Sequence, residues 1–398
     1  MLIAHLDADC FYVSAERVRD RFLADKPVGV LGNQGACVIA KSYEMKKAGV
    51  KTGEPIWEAL TKCPDGIYVK RDFRWYEVLS RAMLDVVREF SPQVEYYSID
   101  EFFLSVDQSP ASFAHELQQA ILDRVGVPVT IGVARTRTLA KLVSDLAKPF
   151  GALALIGREA EEQLLASRPA SDVTGIAERS AAKLRSFGIV TCLDLARADP
   201  TQVRSVLTVT GERLCYELRG EKCVPIQSKR PLHKIVSRGG SIGAPSSDPA
   251  IQWAWCVRNL ERLIEALESY GLCAGKLAFA VDYKHGPTCA ADTRLTFPTT
   301  RFDMLVEAAR HLWKQVQMQG LLLYRMHYFA SELQYPGPRQ LGLFEPTIRD
   351  GLHALKSEIN SRHGRFALRS AATLPLTEIY ADESHSYEIC DIAGKTCF

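Results

Sequence analysis

Two short acidic stretches carry the residue types best suited to chemistry in this chain: Asp7-Ala8-Asp9 and Asp100-Glu101. The first closes Leu2–Leu6, an apolar run that reads as a short buried strand. The second sits in Val94–Val106, a β-branched and aromatic stretch that reads as strand, turn, strand. Neighbouring strand ends would bring Asp7, Asp100 and Glu101 together. Three converging carboxylates repel one another unless positive charge lies between them. Two Mg²⁺ ions, held by a few carboxylates plus substrate phosphates, supply that charge. Such a pair activates an attacking 3′-hydroxyl and stabilises a leaving pyrophosphate. Asp9 would orient or support rather than ligate. The plainer alternative is that strand-end acids simply face water.

The elements that must position these acids follow from periodicity. Phe11–Phe22 reads as a helix. Phe113, Leu117, Ile121 and Val125 recur every four residues and predict another. Val127–Val133 reads as a strand, and Leu139, Leu142, Val143 and Leu146 mark a helix stopped by Pro149 and Gly151. With the first strand, this order fits a split-βαβ sheet with helices on one face. From about Glu159 short helical segments dominate, punctuated by Gly175, Gly188, Gly211 and Gly220. Pro225–Pro231 reads as a linker made basic by Lys229, Arg230, Lys234 and Arg238. Beyond it the pattern is β-α-β-β-α-β: strands at Lys234–Ile242, Lys276–Tyr283, Thr293–Phe297 and Leu322–Leu333, helices at Pro249–Tyr270 and Arg301–Gln319. A last amphipathic helix carries Ile348, Leu352, Leu355 and Ile359 on one face.

Bulk composition sets limits. A chain of 398 residues suggests two or more domains. Its 47% apolar and 24% charged content is that of a soluble globular protein. The net charge of +2 leaves any nucleic-acid affinity to local basic stretches. None of the 11 cysteines stands in a Cys-x-x-Cys pair, which argues for free thiols in a reducing cytosol. No basic leader precedes Asp7 and no apolar run reaches the ~20 residues of a membrane span, so the expectation is a cytoplasmic protein with no membrane partner.

Several motifs resemble one family. HLDADCFYVSAE (His5–Glu16) and YYSIDEFFL (Tyr96–Leu104) resemble the two metal-binding motifs of Y-family DNA polymerases. The resemblance is nearest to the branch holding the catalytic subunit of polymerase V, a UmuC-like protein. It implies that Asp7, Asp100 and Glu101 are metal ligands, assisted by the Ala8 carbonyl, with Mg²⁺ or alternatively Mn²⁺ as the two ions. It makes Tyr12 a steric gate against the ribose 2′-hydroxyl, with Phe11 beside it at the nucleotide. Core packing on a helix is the alternative for both rings. NQGACVIAKSYEMKKAGVKTGEP (Asn33–Pro55) resembles the fingers segment, where Tyr43 and Lys46 hold the incoming triphosphate. Many relatives carry arginine where Lys46 stands, and a lysine lacks its bidentate fork. LAKPFG (Leu146–Gly151) makes Lys148 a second phosphate cation, while Lys141 is expected to be structural or a template contact.

VTGIAERSAAKLRSFGIVTCLDL (Val173–Leu195) resembles the family's helix-hairpin-helix. There, backbone N–H groups near Gly175 grip DNA phosphate without reading sequence, and Lys183 adds charge. Ala177 replaces the motif's second glycine. YELRGEKCVPI (Tyr216–Ile226) resembles the end of the thumb in the polymerase V branch, and Lys229, Arg230 and Arg238 become candidate DNA contacts. Gln340, Leu341, Leu343 and Phe344 form a peptide resembling those that dock bacterial polymerases on the sliding clamp.

The implied fold is α+β, a right-hand polymerase. Its palm spans 1–10 and 71–158, its fingers 11–70, its helical thumb 159–228, its little finger 229–335, and a tail runs over 336–398. The implied activity is template-directed, low-fidelity translesion synthesis within the DNA-damage (SOS) response. Primer-template DNA and deoxynucleoside triphosphates would be substrates. An accessory UmuD-like dimer and a recombinase filament would be further partners. A catalytically silent scaffold that recruits other polymerases is the main competing reading, and a nucleotide cyclase or other palm-fold nucleotidyltransferase a third. Retention of Asp7, Asp100 and Glu101 argues against the scaffold, and the hairpin motif and clamp peptide argue against the cyclase.

Overall fold

A computed structural model describes residues 1–32, 37–107, 109–229, 232–337, 351–364 and 366–381. The described residues up to Lys229 form one compact unit and those from Leu232 to Ala381 a second.

The first unit is built on β1 (Leu2–Ala8), followed by α1 (Phe11–Arg19). The helix expected to reach Phe22 stops early. Asp20 turns extended and its carboxylate accepts from the Phe22 N–H at 2.9 Å, starting a separate 3₁₀ turn. A small sheet of β2 (Val28–Leu31), β3 (Val38–Lys41) and β4 (Ile67–Lys70) encloses α2 (Tyr43–Lys47) and α3 (Ile56–Lys62). Next come α4 (Phe73–Phe90), β5 (Val94–Tyr96), β6 (Glu101–Val106), α5 (Pro110–Val125), β7 (Val129–Ala134), α6 (Arg137–Ala147) and β8 (Ala152–Ala154). Their sheet runs β5-β6-β1-β7-β8, with β1 antiparallel to both neighbours.

Alternation along β1 divides its residues between two faces. Ala4, Leu6 and Ala8 pack with Leu104, Ile131 and Val133 into the core that also buries Leu117 of α5 and Met83 of α4. Ile3 and Phe103 pack on the other side with Leu139, Leu142 and Val143 of α6. His5 and Asp7 share that second face. Gly132 of β7 lets α6 sit close, because a Cβ there would run into the backbone of Ala140 and Ser144.

Four helices complete this unit: α7 (Arg158–Ser167), α8 (Glu178–Arg185), α9 (Cys192–Arg197) and α10 (Pro200–Leu218). Two buried carboxylates tie their end to the sheet. Glu217 accepts from the N–H groups of Thr138 (3.1 Å), Cys223 (2.7 Å) and Val224 (3.1 Å). Glu95 accepts both Arg137 guanidinium nitrogens, at 2.6 and 2.7 Å, and the Gln227 N–H at 2.8 Å. Charge-assisted, multidentate bonds of this kind fix geometry more firmly than neutral ones.

The second unit follows the β-α-β-β-α-β pattern: β9 (Ile235–Ser246), α11 (Pro249–Ser269), β10 (Ala274–Tyr283), β11 (Thr288–Thr299), α12 (Phe302–Val316) and β12 (Leu323–Ser331). The sheet is antiparallel in the order β11-β10-β12-β9. One face is sealed by Leu260, Leu263 and Leu267 of α11 and Leu312 of α12. The other carries Lys276, Arg294, Arg325 and His327, which register places on the same side. Two more helices, α13 (Gly351–His363) and α14 (Thr377–Ala381), belong to this unit. Buried Glu261 of α11 accepts Lys356 Nζ at 2.6 Å and the Ser370 N–H at 3.0 Å, and Leu376 enters the core. Leu355, expected on the packed face of α13, is 50% exposed; the helix is anchored through Lys356 instead. Ile348 and the peptide Gln340–Phe344 lie outside the described residues, as does Arg230.

Candidate active site

The acids meet as their spacing predicts, for a reason of register. Asp7 pairs directly with Glu101 across β1 and β6, and with Thr130 across β1 and β7. Directly paired residues point the same way, so Asp7 and Glu101 share the face that α6 covers. The turn between β5 and β6 adds Asp100, whose carbonyl accepts the Ala8 N–H at 2.9 Å. Ser98 Oγ donates to Asp100 at 2.5 Å and lies 3.4 Å from Glu101 Oε2.

Two lysines on one stripe of α6 and its end reach the acids. Lys148 Nζ lies 2.7 Å from Asp7 Oδ2, and Lys141 Nζ pairs with Glu101. Burial pushes Asp7 up to about 7, and the Glu101 and Asp100 charges add to the rise although Lys148 opposes it. Burial alone would also raise Glu101; the paired Lys141 ammonium outweighs it and holds that carboxyl well below the usual range. Burial lowers His5 to about 4, leaving its ring neutral.

Asp9, two residues beyond Asp7, serves as a hub. It accepts from Thr130 Oγ1 (2.9 Å), the Phe150 N–H (2.9 Å) and Tyr43 OH (3.1 Å). The Tyr43 phenol is raised by burial and by the Asp9 charge. Asp9 thus joins α2 to the sheet and to the segment after α6.

Asp7, Ala8, Phe11, Tyr12, Tyr43, Lys46, Asp100 and Lys148 line a single cleft of about 480 Å³. Tyr12 forms part of its wall. Its ring stacks on Tyr76 at 4.6 Å and meets Phe73 edge-on at 5.7 Å, and Tyr76 is fixed by a 2.6 Å bond to Glu16. Phe11 lines the cleft and, only 4% exposed, joins the core. Lys46 is exposed at the cleft rim.

The candidate DNA contacts divide. Gly175, at φ +99°, precedes α8; Ala177 caps α8 with no side-chain bond, and Lys183 is exposed on it. Lys229 is exposed. Arg238 is a correction: it is 3% exposed on the helix-covered face of β9, so its guanidinium presents no surface to a phosphate. Strand alternation decides this. Ser237 and Gly239 point to the open face, and the cations there are Lys276, Arg294 and Arg325. Sequence reasoning missed these three, although the alternation of Asp292, Arg294 and Thr296 along β11 was a signal for an exposed strand face. It also missed Thr130, Ser144 and the pairing of His5 with Lys141.

Strand-end carboxylates facing a lysine-rimmed cleft are the equipment of metal-assisted phosphoryl transfer, and fold and cleft assign the chain to that class. Comparison narrows it. The chain belongs to the impB/mucB/samB family, whose model matches residues 6–145 and whose C-terminal-domain model matches residues 233–343. It is 29% identical to "DNA polymerase IV 1" of Bacillus subtilis (strain 168), over 95% of this chain and 94% of that one. It is 37% identical to "DNA polymerase IV" of Oceanobacillus iheyensis over 68% and 67% of the two chains. "Protein SamB" of Salmonella typhimurium is 29% identical over 86% of each. Among solved structures, the Y-family DNA polymerase chimera Dbh-Dpo4(243-245)-Dbh has the same fold, with a TM-score of 0.72 at 19% identity, covering 84% of this chain and all of that one. Among the described residues, no helix is long and apolar enough to cross a membrane.

Proposed function

We propose that this chain is a DNA-directed DNA polymerase performing low-fidelity translesion synthesis at the cleft bounded by Asp7, Tyr12 and Lys148. The observation that carries the reading is the convergence, in one cleft, of two strand-end carboxylates, the Tyr12 wall and three phosphate-binding candidates: Tyr43, Lys46 and Lys148.

The donor set suits a hard divalent ion. Asp7, Asp100 and Glu101 offer only oxygen, and the Ala8 carbonyl adds another. Burial chiefly raises Asp7 to about 7, with the Glu101 and Asp100 charges adding to it, and a cation bound among them would favour the ionised form. Mg²⁺ is the ion proposed. Asp7, Asp100, Glu101 and the Ala8 carbonyl would hold two such ions, which would supply activation of the primer 3′-hydroxyl and stabilisation of the leaving pyrophosphate. The chain's own residues do the rest. Lys46 and Lys148 neutralise the triphosphate, Tyr43 donates to it, and Tyr12 excludes the 2′-hydroxyl.

Residues 1–10 and 71–158 act as palm, 11–70 as fingers, 159–228 as thumb and 229–335 as little finger, with 336–398 as the tail. The N-terminus of α8 with Gly175, Ala177 and Lys183, the linker Lys229, and the open sheet face with Lys276, Arg294 and Arg325 are proposed DNA contacts. They hold phosphates and carry no sequence information. Gln340–Phe344 docks a sliding clamp, an accessory dimer and a recombinase filament supply further regulation, and the enzyme works in the cytoplasm. A silent scaffold would have no use for three converging carboxylates.

Primer extension with Mg²⁺ and four deoxynucleotides tests this, run beside Asp100→Ala/Glu101→Ala. The wild-type protein is expected to extend in a template-directed manner and the double variant to be inactive. Equal extension by both would remove these carboxylates from the chemistry.

A further inference from the structure

Glu101 is paired through a chain of contacts that starts in the backbone of α6. Ser144 Oγ donates to the Lys141 carbonyl at 2.8 Å and lies 2.7 Å from His5 Nδ1. A hydroxyl has one proton, so Oγ, already donating, accepts from Nδ1–H. The network therefore assigns the neutral tautomer whose Nε2 carries a lone pair. Lys141 Nζ lies 3.4 Å from that Nε2 and pairs with Glu101 Oε1. Nε2 and Oε1 are themselves 3.5 Å apart. Both are acceptors, and the ammonium donates to each. His5 is wholly buried, so Lys141 is docked on a rigid ring instead of extending into solvent.

We propose that Lys141, oriented by His5 and Ser144, is a positioning residue for Glu101. It occupies Oε1 and leaves Oε2, 3.4 Å from Ser98 Oγ, to serve as the ligand, so that Glu101 ligates through one oxygen in one rotamer. The inference rests on the reading of Asp7, Asp100 and Glu101 as the metal cradle. His5, Asp7 and Glu101 also offer donor atoms within 4.8 Å of one another, which would suit a cation held by His5 itself. The ammonium at Nε2 argues against that use, since the lone pair a metal would need is already engaged. Supporting groups one step removed from a metal ligand commonly change rate or affinity by about 10–100-fold.

The test compares wild type, Lys141→Met, His5→Leu and the double variant, with Asp100→Ala/Glu101→Ala as reference. Four quantities are read: the single-turnover incorporation rate at saturating Mg²⁺ and nucleotide, the apparent nucleotide Kd, the primer-template Kd, and Mn²⁺ binding to the free protein by electron paramagnetic resonance. For Lys141→Met the rate is expected to fall roughly 10–100-fold, while both Kd values stay within about twofold and Mn²⁺ binding is undiminished. His5→Leu should lose rate in the same sense by less, and the double variant should match Lys141→Met alone, because the two act in series. Ser144→Ala serves the same arm if His5→Leu melts early.

An unchanged rate in Lys141→Met overturns the proposal. So does a loss residing in nucleotide or DNA affinity, which would make Lys141 a substrate contact. Abolished Mn²⁺ binding in His5→Leu would make His5 a ligand and overturn it too. If the reference variant remains active, the cradle reading itself has failed; if it is inactive while Lys141→Met is unaffected, only the positioning role falls.

Discussion

Tyr12 gains its rigidity from neighbours. The stack on Tyr76 and the edge of Phe73 leave the ring little rotational freedom, and a wall that cannot yield is what a steric filter requires. An apolar wall rejects an added hydroxyl by about 100-fold. Tyr12→Ala is therefore expected to raise the ribonucleotide-to-deoxynucleotide ratio of kcat/KM by about 10–100-fold, and Tyr12→Phe to leave it unchanged. A ratio in Tyr12→Ala equal to wild type would show that the ring is packing alone. The convergence of the acids was legible in the sequence because they are clustered in two short motifs, and the first motif also put Tyr12 on the wall of their cleft. The Lys141–His5 contact was not legible, since it joins residues 136 apart whose meeting depends on how α6 lies on the sheet. Arg238 failed for another reason: it was grouped with the basic charges of the linker although it falls inside the expected strand Lys234–Ile242, whose alternation turns it inward.

The placement of α6 rests on a missing methyl group. Gly132 lies under Ala140 and Ser144, and any Cβ there must push the helix away. That helix delivers Lys141 and leads directly into Lys148, so its displacement would spoil both cations at once. Gly132→Ala is expected to cost about 1–3 kcal/mol of stability by overpacking. Its incorporation rate at saturating substrate should fall well beyond what the unfolded fraction explains. Denaturant melts and active-site titration separate the two effects. Full stability with full rate would mean that α6 can shift without consequence. Where elements were assigned from periodicity, as for α5, α6 and α11, their types were right because apolar stripes and β-branched strands are clear there, but the elements from β2 to α4 were not assigned at all. Boundaries suffered where side chains compete with the backbone, as Asp20 does after α1. Strand β11 was read as Thr293–Phe297 but spans Thr288–Thr299, because its edge position leaves polar and small residues in an unsealed ladder.

The chain is a Y-family DNA polymerase related to UmuC, and its two units raise the question of what the tail does. Glu261 is buried, and two of its partners, Lys356 and Ser370, come from beyond the β-α-β-β-α-β pattern. Truncation after Gly337 would leave that carboxylate buried without them and uncover the site of Leu376. We expect a loss of about 3–5 kcal/mol, as for any buried charge stripped of its partner, visible as a lowered Tm. Internal deletion of Gln340–Phe344 should instead abolish stimulation by a sliding clamp and spare distributive synthesis. A truncated protein as stable as wild type would make the tail an appendage. The order of strands has a further consequence, for synthesis of the polymerase itself. Strand β1 is central, yet its partner β7 follows roughly 120 residues later. At about 5–20 residues per second, the ribosome needs roughly 6–24 s to deliver that partner. Until β7 arrives Leu2–Ala8 keeps one edge unpaired, so the catalytic strand is also a segment of the nascent chain that waits long for its last neighbour.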